Sequence, residues 1–287
     1  MLTVIEHDLV LGDGRTLRCY DTRAADGSVP GLAVLWSHGT PNVGEPPAPL
    51  FAAAAERGIR FVGYDRPGYG PSTARPGRTV GSAAEDAAAV LDALGISRFA
   101  MLGHSGGGPH TLACAALLAD RLIAVVDISG PAPYGGPGLD YFTGMNPSGE
   151  AELRASVAGR AALVELLESS EYDPEMFTPA DHAALQGSWD WMMTVVNKAL
   201  KNGDVSGMID DDLAYVAPWG FEVTAIHRPL LVCHGEHDRI VPAAHGRWVA
   251  ATVASAELRT YPADGHVSVL ESAGVPALDW IREQADA

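Results

Sequence analysis

The chain carries a series of short apolar runs bounded by turn residues, and these limit its fold more than any other feature. They are Leu32 to Trp36, Ile59 to Tyr64, Phe99 to Leu102, Ile123 to Ile128, Leu230 to Cys233 and Leu258 to Tyr261. Runs this short and this apolar suit strands buried on both faces of a parallel sheet. Helical stretches separate them, the clearest being Ser82 to Leu94. Ser82 stands at the cap position, Glu85 and Asp86 lie in the first turn where the helix dipole favours anions, and Gly95 ends it. Alternating strands and helices imply right-handed crossovers and an open, mostly parallel sheet with helices on both faces. Ahead of them, residues 2–11 and 16–22 alternate apolar and polar around Gly12-Asp13-Gly14. That pattern is a hairpin of two antiparallel strands and brings the sheet to eight.

From Pro131 to about Arg228 the rhythm stops. Three helical patterns fill the interval, Glu150 to Ser169, Pro179 to Lys201 and Asp204 to Val216, before the next strand. The expected division is a core of residues 1–132 and 228–287 with a helical lid inserted at 133–227, hinged at the Gly and Pro cluster Gly130 to Gly138. At 287 residues and 47% apolar composition the chain can bury a large core.

Charge and termini narrow the function. Against 36 Asp and Glu stand 19 Lys and Arg, a formal charge of −17. Such a field repels phosphate backbones and anionic lipid surfaces, so the expected partner is a small molecule, not nucleic acid or a membrane, and a homodimer is allowed. Cys19, Cys114 and Cys233 are widely spaced in apolar stretches and read as buried free thiols. The N-terminus lacks a cationic start followed by an apolar core, and no uninterrupted apolar stretch is long enough to span a bilayer. A cytoplasmic location is expected.

The chemistry concentrates in four loops, each following an apolar run. Gly103-His104-Ser105-Gly106-Gly107 is a G-x-S-x-G between a strand and an apolar helix, the context in which a serine is held on a sharp, strained turn at the carboxyl end of a sheet. Asp238 lies in Cys233-His234-Gly235-Glu236-His237-Asp238, and His266 ends Tyr261-Pro262-Ala263-Asp264-Gly265-His266. A serine hydroxyl is too weak an acid to attack unaided. His266 can take its proton as general base, and Asp238 can fix the tautomer and stabilise the imidazolium. After Trp36-Ser37-His38-Gly39, the N–H of Thr40 together with that of Gly106 can form an oxyanion hole; Pro41 has no N–H to offer.

With these loops assembled, the chain resembles the α/β-hydrolase superfamily, specifically its lid-bearing bacterial esterase-like members, along almost its whole length. The matching residues are His38-Gly39-Thr40-Pro41, Tyr64-Asp65-Arg66-Pro67-Gly68-Tyr69-Gly70-Pro71-Ser72, the turn around Ser105, the Gly235, Asp238 and Pro242 loop, and Gly265-His266. The resemblance implies a Ser-His-Asp hydrolase without cofactor, acting on a small, uncharged ester or related acyl compound through an acyl-enzyme. The same triad also serves carbon–carbon bond hydrolases, aminopeptidases and acyltransferases, or a ligand sensor with little turnover. Serine at the turn sets the chain apart from dehalogenases and epoxide hydrolases, which use aspartate there.

Other residues carry more than one reading. Asp127, near the end of its strand, is the rival for the triad acid. His104 either lines the pocket or makes a local hydrogen bond in its turn. Trp189, Trp191 and Met192, with Met193, are either core or pocket lining on a lid helix. Asp65 and Arg66 read as loop braces outside the site. The His, Asp and Glu spacings match no standard zinc pattern, so no metal is expected. The lid is expected to select substrates and to contribute nothing to the chemical step.

Overall fold

The computed structural model describes residues 2–24 and 26–287. Its eight strands are β1 (Leu2–Val10), β2 (Thr16–Ala24), β3 (Leu32–Ser37), β4 (Ile59–Tyr64), β5 (Phe99–His104), β6 (Leu122–Ile128), β7 (Leu230–Gly235) and β8 (Ala256–Tyr261). They form one sheet in the order β1-β2-β4-β3-β5-β6-β7-β8. The expected hairpin pairs Leu2 with Ala24 through Val10 with Thr16, and β2 runs antiparallel to β4. From β4 to β8 every pairing is parallel. Because β3 sits between β4 and β5, the chain leaves it in opposite directions, which opens a crevice at the carboxyl ends of β3 and β5.

Side-chain alternation explains why those strands read as continuously apolar. On β3, Val34 and Trp36 join one core cluster while Ala33 and Leu35 join the other. On β5, Ala100 and Leu102 face the first cluster, and Phe99 and Met101 the second. Helices α1 (Phe51–Glu56) and α10 (Val269–Asp286) cover the first face, and α2 (Ala83–Ala93), α3 (Gly107–Leu117) and α9 (Ala244–Thr252) the second. Removing an aliphatic or aromatic side chain such as Leu102 or Phe61 from water contributes about 1.5–3 kcal/mol. The last strand departs from the pattern. β8 is an edge strand, paired only with β7, and its Leu258 is 36% exposed. All three cysteines are free and buried, and burial pushes each thiol up to about 12. No helix among the described residues is long and apolar enough to cross a membrane.

Between β6 and β7 lie α4 (Pro147–Ala158), α5 (Arg160–Ser169), α6 (Pro179–Leu185), α7 (Trp191–Ala199) and α8 (Ser206–Val216). Two of the expected helices are each split. Gly159, at φ 112° and ψ 169°, breaks Glu150 to Ser169, a conformation that strains any side-chain-bearing residue. The second split lies between α6, opened by a capping box of Thr178 and Asp181, and α7. At α2, Ser82 does not cap. It is itself helical, and its hydroxyl donates to the Thr79 carbonyl while Thr79 Oγ1 accepts from the Ser82 N–H. The final helix runs from Val269 to Asp286.

Candidate active site

β5 ends at His104 and delivers Ser105 in the left-handed region, at φ 55°, a strained position for a residue with a side chain. The turn is held by the Ser105 N–H donating to Ile128 O (2.9 Å) and the Gly108 N–H donating to Ser105 O (2.8 Å). Its glycines are required by close approach. A Cβ on Gly107 would stand 2.0 Å from Ser37 O, and one on Gly103 2.6 Å from Thr111 Cγ2. The first turn of α3 therefore begins beside Ser105, with its positive dipole end at the hydroxyl.

The loops after β7 and β8 bring two partners to that serine. Ser105 Oγ lies 2.8 Å from His266 Nε2, and His266 Nδ1 lies 2.7 Å from Asp238 Oδ2. Asp238 Oδ1 accepts from the N–H groups of Ile240 and Val241, both at 2.9 Å, so its carboxylate is held at both oxygens. This leaves Nδ1–H as the donor and Nε2 as the acceptor for the serine proton. Burial would drive the imidazole toward its neutral form, but the Asp238 charge and hydrogen bond outweigh burial and hold His266 above its ordinary value of 6.5. The same pair works on the acid: burial opposes its charge, and His266 still keeps Asp238 below 3.8.

On the other side of Ser105 runs the segment Ser37 to Pro41. A Cβ on Gly39 would lie 3.4 Å from Ser105 Cβ. The Gly39 carbonyl accepts from His38 Nδ1 (2.8 Å) and Arg66 Nη2 (3.1 Å). Since a trans peptide points its C=O and N–H in opposite directions, holding that carbonyl turns the Thr40 N–H away from Arg66. The Gly106 N–H is directed in the same way, because Ser105 O is engaged by Gly108. Among the described residues, neither N–H has a protein acceptor.

Arg66 was expected to brace a loop outside the site, and what it braces is this segment. Its Nη1 donates to His38 O (2.5 Å), and its backbone N–H donates to His38 Nε2 (3.1 Å). The guanidinium is in turn held by Asp211 of α8, with Nη2 2.6 Å from Oδ2. Asp211 also accepts from Thr40 Oγ1 (2.8 Å), Tyr69 Oη (2.8 Å) and Arg78 Nη1 (2.5 Å). Burial would protonate this carboxyl, but Arg66 and Arg78 hold it well below 3.8. Tyr215, one turn further along α8, sets its hydroxyl 2.8 Å from Gly106 O and 2.7 Å from Thr40 Oγ1. A second aspartate from the same insertion reaches the histidine loop. Asp181 Oδ1 accepts from the N–H groups of Val267 and Ser268 (2.8 Å each) and from Ser268 Oγ (2.9 Å), while its Oδ2 accepts from the Thr178 N–H (3.0 Å) and hydroxyl (2.8 Å). The sequence offered no local signal for these contacts, since Asp181 and Asp211 find their partners in segments distant in the chain.

The remaining expected residues are placed as follows. His104 neither makes a local bond nor forms a free wall. Its Nε2 bonds the His266 carbonyl at 2.9 Å, its ring lies 4.9 Å from the His266 ring, and burial with the nearby His266 pushes it down to about 3. Asp127 makes no contact with His266. Its carboxyl is buried against Gly108 and Gly130, where burial raises it to about 7. Trp189, Trp191 and Met192 are buried in the apolar cluster that contains Trp36 and Val43, with Trp191 edge-on to both Trp36 and Trp189, whereas Met193 is 46% exposed. Their burial is that of packing side chains. Among the described residues no group of three or more His, Cys, Asp or Glu is arranged to hold a metal ion.

A doubly flanked parallel sheet with a serine, a histidine and a carboxylate in hydrogen-bonded sequence at its carboxyl edge defines an α/β hydrolase. The chain belongs to that family: the model described as alpha/beta hydrolase fold matches residues 33–273. It is 28% identical over 246 residues to a non-heme haloperoxidase of Rhodococcus erythropolis, covering 82% of this chain and 86% of the relative. It is 30% identical over 246 residues to a 2-hydroxy-6-oxo-6-phenylhexa-2,4-dienoate hydrolase of Burkholderia cepacia, covering 83% and 78%. Among solved structures it is similar in fold to a thermophilic esterase from Thermogutta terrifontis, with a TM-score of 0.69, 21% identity, and 98% and 99% of the two chains covered.

Proposed function

We propose that this α/β hydrolase cleaves a small, uncharged ester or related acyl compound through an acyl-enzyme on Ser105. The carrying observation is the unbroken chain from Ser105 Oγ through His266 to Asp238, at 2.8 and 2.7 Å. In this reading Ser105 Oγ adds to the acyl carbon as its proton passes to His266 Nε2. The carbonyl electron pair moves onto oxygen, facing the N–H groups of Thr40 and Gly106. His266 then returns the proton to the departing alkoxide, and water repeats the sequence to release the acid. Residues 133–227 act as the lid, with a small molecule as the partner.

Preference for an uncharged acyl group is supported by the local charges. The two arginines beside the Ser37 to Pro41 segment are both committed to Asp211, leaving neither free to receive a substrate carboxylate. The 30% identical relative favours carbon–carbon bond cleavage as the second reading, and the substrate in its name is a carboxylate. The test is labelling by a fluorophosphonate together with turnover of 4-nitrophenyl acetate. Ser105 should be the single labelled residue, and Ser105→Ala should lower turnover on the order of 10⁴ to 10⁶. Equal labelling of Ser105→Ala, or turnover of a dienoate with none of the ester, refutes the proposal.

A further inference from the structure

We infer that Asp211 is a positioning residue for the oxyanion hole, so that the α8 helix of the insertion takes part in the chemical step. The inference rests on the serine-hydrolase reading above. Asp211 is fully buried, and its carboxylate is the common acceptor of three groups that fix the Ser37 to Pro41 segment. Thr40 is tied directly through its hydroxyl at 2.8 Å. Arg66 is tied at 2.6 Å and passes the constraint to the carbonyls of His38 and Gly39. Tyr69, the third, donates at 2.8 Å and packs its ring edge-on against His38, with centroids 5.0 Å apart. The Gly39 carbonyl and the Thr40 N–H belong to one planar peptide, so whatever fixes the first aims the second. Tyr215 adds to the frame by donating its hydroxyl to the Gly106 carbonyl at 2.8 Å, with Thr40 Oγ1 packed 2.7 Å from it; Thr40 and Gly106 are the two residues whose N–H groups face the developing oxyanion.

The charges separate this role from a purely electrostatic one. Two guanidiniums, of Arg66 and Arg78, share the single Asp211 carboxylate, so the cluster is net positive behind the hole. Neutralising Asp211 makes it more positive, which by field alone would favour an oxyanion. Losing the acceptor releases Arg66 and Thr40 and lets the donor drift, which disfavours one. The two effects have opposite signs, and kcat reads which dominates. Donors in such a hole act only if they are already in place when charge develops.

The experiment compares wild type, Asp211→Asn and Tyr215→Phe with 4-nitrophenyl butyrate as substrate and a trifluoromethyl ketone as inhibitor. The ketone adds the Ser105 oxygen to its carbonyl carbon, passes the serine proton to His266, and leaves an oxyanion in the hole. Deleting one hole donor outright costs about 10² to 10³ in kcat, so Asp211→Asn should lower kcat on the order of 10² and Tyr215→Phe by roughly tenfold. KM should stay within about threefold, and ketone affinity should fall in step with kcat/KM. A folded Asp211→Asn with kcat unchanged or raised, or a loss confined to KM, overturns the inference. Where Asp211→Asn does not fold, Tyr215→Phe, which removes only a hydroxyl, decides: kcat within twofold of wild type overturns it. A wild type that neither turns over the ester nor reacts with a fluorophosphonate at Ser105 refutes the serine-hydrolase reading, a failure distinct from an active wild type with indifferent variants.

Discussion

Asp181→Asn should destabilise the protein in a way that depends on pH. The aspartate is almost fully buried, and burial opposes its charge. The N–H groups of Ser268, Thr178 and Val267 and the Thr178 hydroxyl outweigh that cost and hold its carboxyl down at about 2, against 3.8 in an unfolded chain. At about 1.36 kcal/mol per factor of ten in proton affinity, that difference corresponds to roughly 2 kcal/mol of stability. Because the folded value is the lower one, the contribution is complete above about pH 5 and fades as the pH falls through 3.8 toward 2. Asparagine keeps the shape and one acceptor oxygen but loses the charge. Urea unfolding at pH 7 should show Asp181→Asn less stable than wild type by roughly 2 kcal/mol, with a fall in Tm of about 4–8 °C. At pH 3 the gap should be visibly smaller. Since the bonded N–H groups directly follow His266, kcat should also fall. A gap that stays the same at pH 7 and pH 3, or no gap at all, would show that the carboxylate is not what ties the insertion to the histidine loop.

Three further outcomes follow from the structure. Asp238→Asn should lower turnover by about 10⁴ while Asp127→Asn leaves it nearly intact, because only Asp238 touches His266. The general base must be neutral, and Asp238 holds His266 above 6.5, so kcat/KM in wild type should rise with pH through a midpoint above 6.5; with the acid gone, burial dominates and the midpoint should move lower. A crippled Asp127→Asn beside a mild Asp238→Asn would reverse the assignment. Trp189→Ala should cost about 3–5 kcal/mol in urea unfolding, because its ring is enclosed in the apolar cluster. A fully stable variant with an altered acyl-chain preference would make Trp189 a pocket wall after all.

Much of the sheet was legible because burial on both faces of a parallel strand leaves a local trace. Residues such as Val34, Leu35 and Trp36 are all apolar because consecutive side chains enter two different cores. The edge strand β8 lacks that trace: with a partner on one side only, it tolerates Glu257 and Arg259, and its apolar run was a poor guide to its burial. Within the insertion, the division of one helical pattern at Gly159 depends on a backbone angle that a lone glycine permits without announcing.

The sequence by itself determined the doubly wound sheet and the loops bearing Ser105, Asp238 and His266, since each loop follows its own strand and a parallel sheet places all carboxyl ends on one edge. Only the tertiary structure decided what surrounds them. The insertion, expected to contribute nothing to the chemical step, makes contacts that the sequence did not reveal: Asp211 bonds Thr40 and Arg66, and Asp181 bonds the backbone after His266. His104 reaches His266 across 162 positions of sequence. These contacts join segments that no short-range periodicity connects. A buried charge has to find its counter-charge and donors somewhere, but the chain does not record where until folding brings them within about 3 Å.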